Sequence, residues 1–379
     1  MKWFTYCCWR LRLIAALLLA GLVPLSQAAL PSARAASERT ECIGYYTVNL
    51  PGDLEYALMD NFSQALGAWG SDIRLDLTGL GRQELFISQP VGVGGLTALV
   101  EKRNVKQQVA RDDLLRQADL FTPQEAMHEK LMSEAQLTQL FVPIQRRNAY
   151  GAMLEKDNRE KLALHALVNG HILSTELKPQ GTPEQTLDAF LSHYKPRALG
   201  ELPTGPGVCV PFGFFTGEEQ PATIGLNIRL KDQPDIVMYL LARDAATDTP
   251  EDPEKYIDRK TEPMTMFYAS RGAFAMNRLS PYKGITIDGH RGKGAFVNIK
   301  RDATLLQKVN NPATDDIDWG YLAYIPGLSG GKPGESFNLT FKVERFGRFA
   351  ARPMTESEFR ALVLRIAASI KRRPEAFRN

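Results

Sequence analysis

Apolar residues at Leu54, Leu58, Phe62 and Leu66 recur every four positions behind Pro51-Gly52-Asp53, a spacing that predicts an amphipathic helix capped by Asp53. Ile73-Arg-Leu-Asp-Leu77 then alternates as a half-buried strand does. Leu96 to Leu120 and Thr122 to Leu140 read as helices rich in Gln, Glu, Lys and Arg. Tyr150 to Leu154 and Leu162 to Leu173 read as paired strands joined by the polar turn 155–160. Thr182-Pro-Glu-Gln185 is a capping box with proline at the first helical position, so it opens a helix that ends before Pro196. Beyond residue 207 strands dominate: Thr223 to Leu230, Ile236 to Leu241, Ile285 to Asp288, Ala295 to Lys300, Trp319 to Ile325 and Phe337 to Val343. A second capping box, Thr355-Glu-Ser-Glu358, opens a final helix with the apolar stripe Phe359, Leu362, Val363, Ile366 and Ile370. Lys371, Arg372 and Arg373 are placed to complement its negative end, and Pro374 stops it.

Proline and glycine gather between the patterned halves, in His193-Tyr-Lys-Pro-Arg-Ala-Leu-Gly-Glu-Leu-Pro-Thr-Gly-Pro-Gly207, as in an ordered connector. The expectation is an α+β fold of two domains, residues 38–198 and 206–379, each a mainly antiparallel sheet packed with helices.

The first 28 residues have the parts of a secretory signal peptide. Lys2, Arg10 and Arg12 form a basic leader, Leu13 to Leu25 an apolar run, and Ser26-Gln27-Ala28 a small-residue cleavage site; Ala33-Arg34-Ala35 is a second such site. Pro24 interrupts the run, which falls short of the roughly 20 residues that span a bilayer, so export is expected without a stable membrane anchor. Removing the leader takes the formal charge from +3 to zero. A neutral chain without basic clusters releases few counterions from a polyanion, which sets nucleic acid aside as a partner. Cys7 and Cys8 leave with the leader. Cys42 and Cys209 then remain as one pair in an oxidising compartment, where a disulfide is the hypothesis and two buried thiols the alternative.

Little local chemistry nominates an enzyme. Gly327-Leu-Ser-Gly-Gly331 matches a nucleophile elbow around Ser329, yet the five histidines, at 128, 165, 171, 193 and 290, all precede it, and a strand follows where the motif needs a helix. The same glycines before Lys332 lack the Ser or Thr of a phosphate loop, since Pro333 follows. Gly92 and Gly94 begin a dinucleotide-type pattern that Thr97 breaks. His165 and His171, six apart on one expected strand, would sit roughly 20 Å from each other, too far to share a metal. The acidic runs Asp315-Asp-Ile-Asp318 and Glu251-Asp-Pro-Glu254 are expected to be solvated. Phe212, Phe214 and Phe215 are expected to pack the core or cover a disulfide. No catalytic, cofactor or metal residue is expected.

Taken together, the cysteine neighbourhoods are informative. Cys42-Ile43-Gly44 before an alternating strand and Leu50-Pro51, with Pro206-Gly-Val-Cys209 before Phe212-Gly-Phe214 far downstream, resembles the type VI secretion immunity proteins that neutralise lipase effectors. The connector Tyr194-Lys-Pro-Arg197 is similar to theirs. Members of that family often carry arginine after the Cys-x-Gly glycine, where this chain has Tyr45. The resemblance implies a periplasmic, non-enzymatic inhibitor whose partner is a cognate lipase or phospholipase effector, blocked at its active site or lid. It transfers only Cys42 and Cys209. The loops from Ser329 to Ser336 and from Asp244 to Pro253 are candidate presenters of the partner-binding surface because they are long and polar. The competing readings are a periplasmic ligand-binding or structural protein and, third, a secreted esterase.

Overall fold

The computed structural model describes residues 38–58, 71–92, 94–145, 148–156, 159–246, 248–270, 275–278, 282–300, 317–328, 334, 336–350, 353–374 and 376. The expected signal peptide and both cleavage sites lie outside the described residues.

In chain order the first half contains β1 (Glu38–Ile43), β2 (Tyr46–Pro51), β3 (Leu54–Tyr56), β4 (Asp72–Leu77), β5 (Gly81–Ile87), α1 (Gly95–Ala118), α2 (Ala126–Leu137), β6 (Val142–Pro143), β7 (Ala149–Lys156), β8 (Arg159–Val168), β9 (His171–Leu177) and α3 (Pro183–His193). The connector contributes β10 (Tyr194–Pro196) and leads to β11 (Val208–Val210), β12 (Gly213–Phe215), β13 (Glu218–Leu230), β14 (Ile236–Asp244) and α4 (Pro253–Ser270). Then come β15 (Ala275–Arg278), β16 (Lys283–Ile287), β17 (His290–Lys300), β18 (Ile317–Ile325), β19 (Phe337–Arg345), α5 (Glu356–Ser369) and β20 (Lys371–Arg372).

The fold is α+β. Its largest sheet has 14 strands in the order β15-β17-β18-β19-β14-β13-β4-β5-β9-β8-β7-β6, with β16 added to β17 and β3 to β13. Two three-stranded sheets, β1-β2-β20 and β10-β12-β11, complete it. Pairing between strands of the described residues is antiparallel throughout. Residues 38–379 form one compact unit, and the expected boundary between 198 and 206 lies inside it. The large sheet crosses from one half to the other at β13, where Ile224 pairs with Ile73 and Ile228 with Tyr56.

Both capping boxes form as their residues dictate. Thr182 accepts from the backbone N–H of Gln185 and Thr355 from that of Glu358, and each N3 side chain reaches back to its cap. Phe359, Leu362, Val363, Ile366 and Ile370 are all buried, and α5 delivers them to a core shared by the two halves of the chain. Each such side chain contributes roughly 1.5–3 kcal/mol of burial free energy. Helix α1 covers a smaller apolar cluster that includes Leu96, Val100, Phe141 and Ile172, and α4 covers one built on Tyr256, Ile257 and Leu322.

Three expectations are corrected. Leu54 opens a strand, not a helix: Leu54, Tyr56 and Leu58 are all buried, so the spacing of four was two steps of a strand period, and β3 pairs with β13. Phe62 and Leu66 lie outside the described residues. The expected strand from Leu162 to Leu173 is a hairpin, β8 and β9, turned at Asn169-Gly170 with φ of 48° and 80°, the left-handed pair that a type I′ turn needs. His165 therefore pairs with Ser174 and His171 with Val168 on adjacent strands, and the register turns the two histidines to opposite faces. Lys371 and Arg372 form β20 on β2. Arg373, expected to complement the end of α5, is buried and donates to the carbonyls of Pro203, Gly205 and Gly207 in the connector.

Candidate functional site

Cys42 and Cys209 form a disulfide with a Cα–Cα distance of 5.8 Å across 167 positions of sequence. Beside it Gly44 and Cys209 exchange backbone hydrogen bonds of 2.9 Å in both directions. Gly44 has φ of +58°, and a Cβ there would stand 3.1 Å from Cβ of Ile224, so the position calls for glycine. Phe214 packs on the two buried cysteines. Tyr45 is fully buried: its hydroxyl accepts a hydrogen bond from the backbone N–H of Ala222 and its ring stacks on Phe337 at 4.9 Å.

A buried ion pair seals the same region. Arg197 Nη1 lies 2.6 Å from Glu41 Oε1, with side-chain exposures of 2% and 0%. That approach is an ion-pair contact without the alignment of a directed hydrogen bond; Glu41 Oε2 accepts from the backbone N–H of Gly200 at 2.7 Å. The guanidinium also donates to the carbonyls of Cys42, Gly213, Ala198, Glu201 and Val210. With Arg373 it fixes the connector as a rigid strap. This assembly positions chain segments and presents no reactive group.

The concave surface lies elsewhere, between α4 and the sheet. A cavity of about 370 Å³ is bordered by β4, β13, β14, β17, β18 and β19. Strand alternation places Tyr239, Leu241 and Arg243 of β14 beside Thr340, Lys342 and Glu344 of β19, with Ala295 and Leu322 deeper and Tyr256 and Lys260 reaching in from α4. Gly225 makes the room, since a Cβ there would lie 2.5 Å from the Tyr239 hydroxyl. Aromatic faces are thus ringed by charge: Arg74 pairs with Asp72 at 2.9 Å, Lys342 with Glu344 at 2.8 Å, and Arg243 with Asp248 at 3.8 Å. Burial, with Arg259 and Arg243 close by, pulls the Lys260 ammonium below its ordinary value. Burial and Asp72 push the Tyr239 phenol up, so it stays protonated at neutral pH. Such a lining offers stacking, donors and both signs of charge, the equipment of recognition.

None of the described residues of the two loops nominated in the sequence lines this cavity; the loops hold each other instead. Asp244, at the end of β14, accepts from Gly334 N–H at 2.7 Å, and Ala245 N–H donates to the Ser336 carbonyl at 3.0 Å. Asn338 joins them further by accepting from Gly327 N–H and donating to the Asp248 carbonyl. Ser329, Gly330, Gly331, Lys332 and Pro333 lie outside the described residues, as do Asp315 and Asp316. Asp318 accepts from Gly347 N–H at 2.7 Å. Glu251 pairs with Arg259 and Glu254 with Lys293, while Asp252 caps α4 by accepting from the N–H groups of Glu254 and Lys255.

The remaining nominated residues are architectural. The Gly92 carbonyl accepts from Gly95 N–H as α1 begins, and a Cβ on Gly95 would stand 2.7 Å from Val91. Phe212 stacks on His171 at 4.0 Å, and Phe215 lies in the main core. Sequence reasoning missed Tyr239, Tyr256, Arg243 and Lys260. Tyr239 and Arg243 flank Leu241 in an alternating strand, a signal for one shared face, but the helix that carries the other two was not anticipated.

No family model and no curated protein matches the chain. Solved structures similar to it include two of one protein. One is the immunity protein TplEi of the T6SS from Pseudomonas aeruginosa complexed with "L" peptide, with a TM-score of 0.49 and 16% identity over 89% of this chain and 98% of that one. The other is the apo structure of TplEi, with a TM-score of 0.46 and 16% identity over the same shares of the two chains.

Proposed function

We propose that the chain is a periplasmic immunity protein that binds a lipase or phospholipase effector of a type VI secretion system and inhibits it by covering its active site or holding its lid. The observation that carries this reading is the joining of the two segments on which the family resemblance rests. Cys42-Ile-Gly44 and Gly207-Val-Cys209 are linked by a disulfide and by paired backbone hydrogen bonds. Periplasmic location is supported by the export pattern of the first 28 residues and by a disulfide that needs an oxidising compartment.

The cavity face under α4 is the surface we assign to the effector. Tyr239, Tyr256 and Arg243 are of the residue types that dominate binding energy at protein interfaces, and charged pairs surround them. Expressing a candidate type VI lipase effector in the periplasm, with and without the chain, and co-purifying the two tests the reading. A toxicity relieved by the chain, together with a stable complex, is the expected result; no rescue and no complex overturns it. Within a complex, Tyr239→Ala and Arg243→Ala should each weaken affinity by about thirtyfold. Unchanged affinity in both would move the interface to another face.

A further inference from the structure

A second cavity, of about 330 Å³, lies between α1 and strands β5, β8 and β9. Ser174 and His165 pair across β8 and β9 on its floor, while Arg103 and Gln107 reach it from α1. His165 is only 2% exposed, its ring is 4.5 Å from that of Phe141, and its Nδ1 stands 2.7 Å from Ser174 Oγ. Its Nε2 is buried without a hydrogen-bond partner, and so is Gln107 Oε1. Arg103 is exposed on α1 and has no carboxylate within ion-pair distance among the described residues, and partial covering of its guanidinium lowers its pKa. Around it stand Arg82 and Glu84 of β5, and Lys161, which pairs with Glu176 at 3.7 Å.

A serine beside a histidine is the hardware of acyl transfer, but the electrostatics oppose that use. Burial first, and then the Arg103 guanidinium, hold His165 down at about 4, so the imidazolium that a general base must become is disfavoured at neutral pH. In the neutral tautomer whose Nδ1 accepts from the Ser174 hydroxyl, the imidazole instead offers Nε2–H as a donor. The donor, the free guanidinium and the Gln107 acceptor define a complement: negative charge next to an N–H.

We propose that this cavity binds an α-carboxylate with an adjacent amide N–H, the group shared by N-acylated amino acids and peptide chain ends. Arg103 and His165 Nε2–H take the carboxylate and Gln107 Oε1 accepts the N–H. The site uses none of the residues assigned to the effector face, so it stands or falls independently of the immunity reading.

The test follows the imidazole resonances of His165 in the mature protein, assigned with His165→Gln, during titration with four probes. These are N-acetylglycine, N-acetyl-trialanine with a free or an amidated C-terminus, and acetate. Both free carboxylates with an N–H should shift His165 saturably and raise its titration midpoint from about 4. The amidated peptide should bind at least about tenfold more weakly. Tighter binding of the free tripeptide than of N-acetylglycine identifies a chain end as the source, and equal binding an acylated amino acid. Arg103→Gln should cost about tenfold in affinity, and Gln107→Leu should leave N-acetylglycine no better than acetate. Neither residue is in the core, so both variants retain the fold. Absence of a saturable shift with every probe, equal binding of the amidated peptide, or indifference to Arg103→Gln would each overturn the proposal.

Discussion

Replacing Glu41 with glutamine keeps the shape of a side chain that has no solvent exposure and removes the charge facing Arg197 at 2.6 Å. The guanidinium keeps its carbonyl acceptors, the shortest at 2.9 Å from Cys42, but nothing neutralises it. Removing one member of a buried pair typically costs about 3–5 kcal/mol, and the surrounding carbonyl dipoles argue for the lower end, about 3 kcal/mol. Glutamine also has one carbonyl oxygen for two tasks. If it faces Arg197, the Gly200 N–H loses its acceptor, which adds about 1 kcal/mol. The expected loss is therefore about 3–4 kcal/mol, read from urea unfolding of the oxidised protein by intrinsic fluorescence. Arg197→Met should be at least as costly, because it strips donors from the carbonyls of Gly213, Ala198, Glu201 and Val210 as well. The double variant should fall short of the sum by about 2 kcal/mol or more, since each single change destroys the same pair. A loss under about 1 kcal/mol for Glu41→Gln, or strict additivity, would refute the idea that charge compensation holds the connector in place.

Four other outcomes are expected. His165 is held at about 4 against an ordinary 6.5, so the unfolded chain takes up a proton below pH 6.5 that the folded chain refuses until about 4. Stability is thus fully present above pH 6.5 and falls by about 3 kcal/mol between there and pH 4; a series of urea midpoints across that range, set against His165→Gln, isolates the effect. Removing the disulfide with Cys42→Ala and Cys209→Ala should cost up to about 5 kcal/mol of loop entropy over its 167-residue separation, and reduced native protein should unfold at the midpoint of the double variant. Thr182→Ala and Thr355→Ala each delete an N-cap and should lower stability by about 1 kcal/mol in thermal melts. Segments 38–198 and 206–379 expressed apart should aggregate, because each would expose strand edges that β13 pairs with β3 and β4; two soluble, cooperatively melting pieces would show that the halves fold alone.

What the sequence made legible was local. Thr182 and Thr355 announce their helices because a capping box is satisfied within four residues, and Phe337 to Val343 alternates because one face of β19 is core. Two hairpins were also written locally, as Asn169-Gly170 and Asp288-Gly289, each with both residues at positive φ, and reading Asn169-Gly170 as a turn divides Leu162 to Leu173 into its two strands. Asp252-Pro253 likewise carries the N-cap and first-turn proline that start α4. Other features have no local signature. A spacing of four fits a helix and a strand equally at Leu54, and β13, 174 residues downstream by the Glu55–Arg229 pair, decides between them. Arg197 and Arg373 carry no local sign of burial, which distant carbonyls impose on them. The cavity face is assembled from strands of both halves, so no window of sequence contains it.

The pairing of β2 with β20 bears on the order in which the molecule can form. Thr47 Oγ1 meets the Lys371 carbonyl across 324 positions, and Tyr45 O receives the backbone N–H of Arg373. The earliest strands of the folded unit must therefore wait, with β2 unpaired on one edge, until nearly all of the unit has been synthesised. Sequence separations this long make folding slow and leave the waiting edge open to wrong partners. Disulfide formation imposes a second delay, because Cys42 emerges long before Cys209. A chain built in this way matures as one late, concerted closure, and a defect near residue 372 should appear as a failure of the first strands.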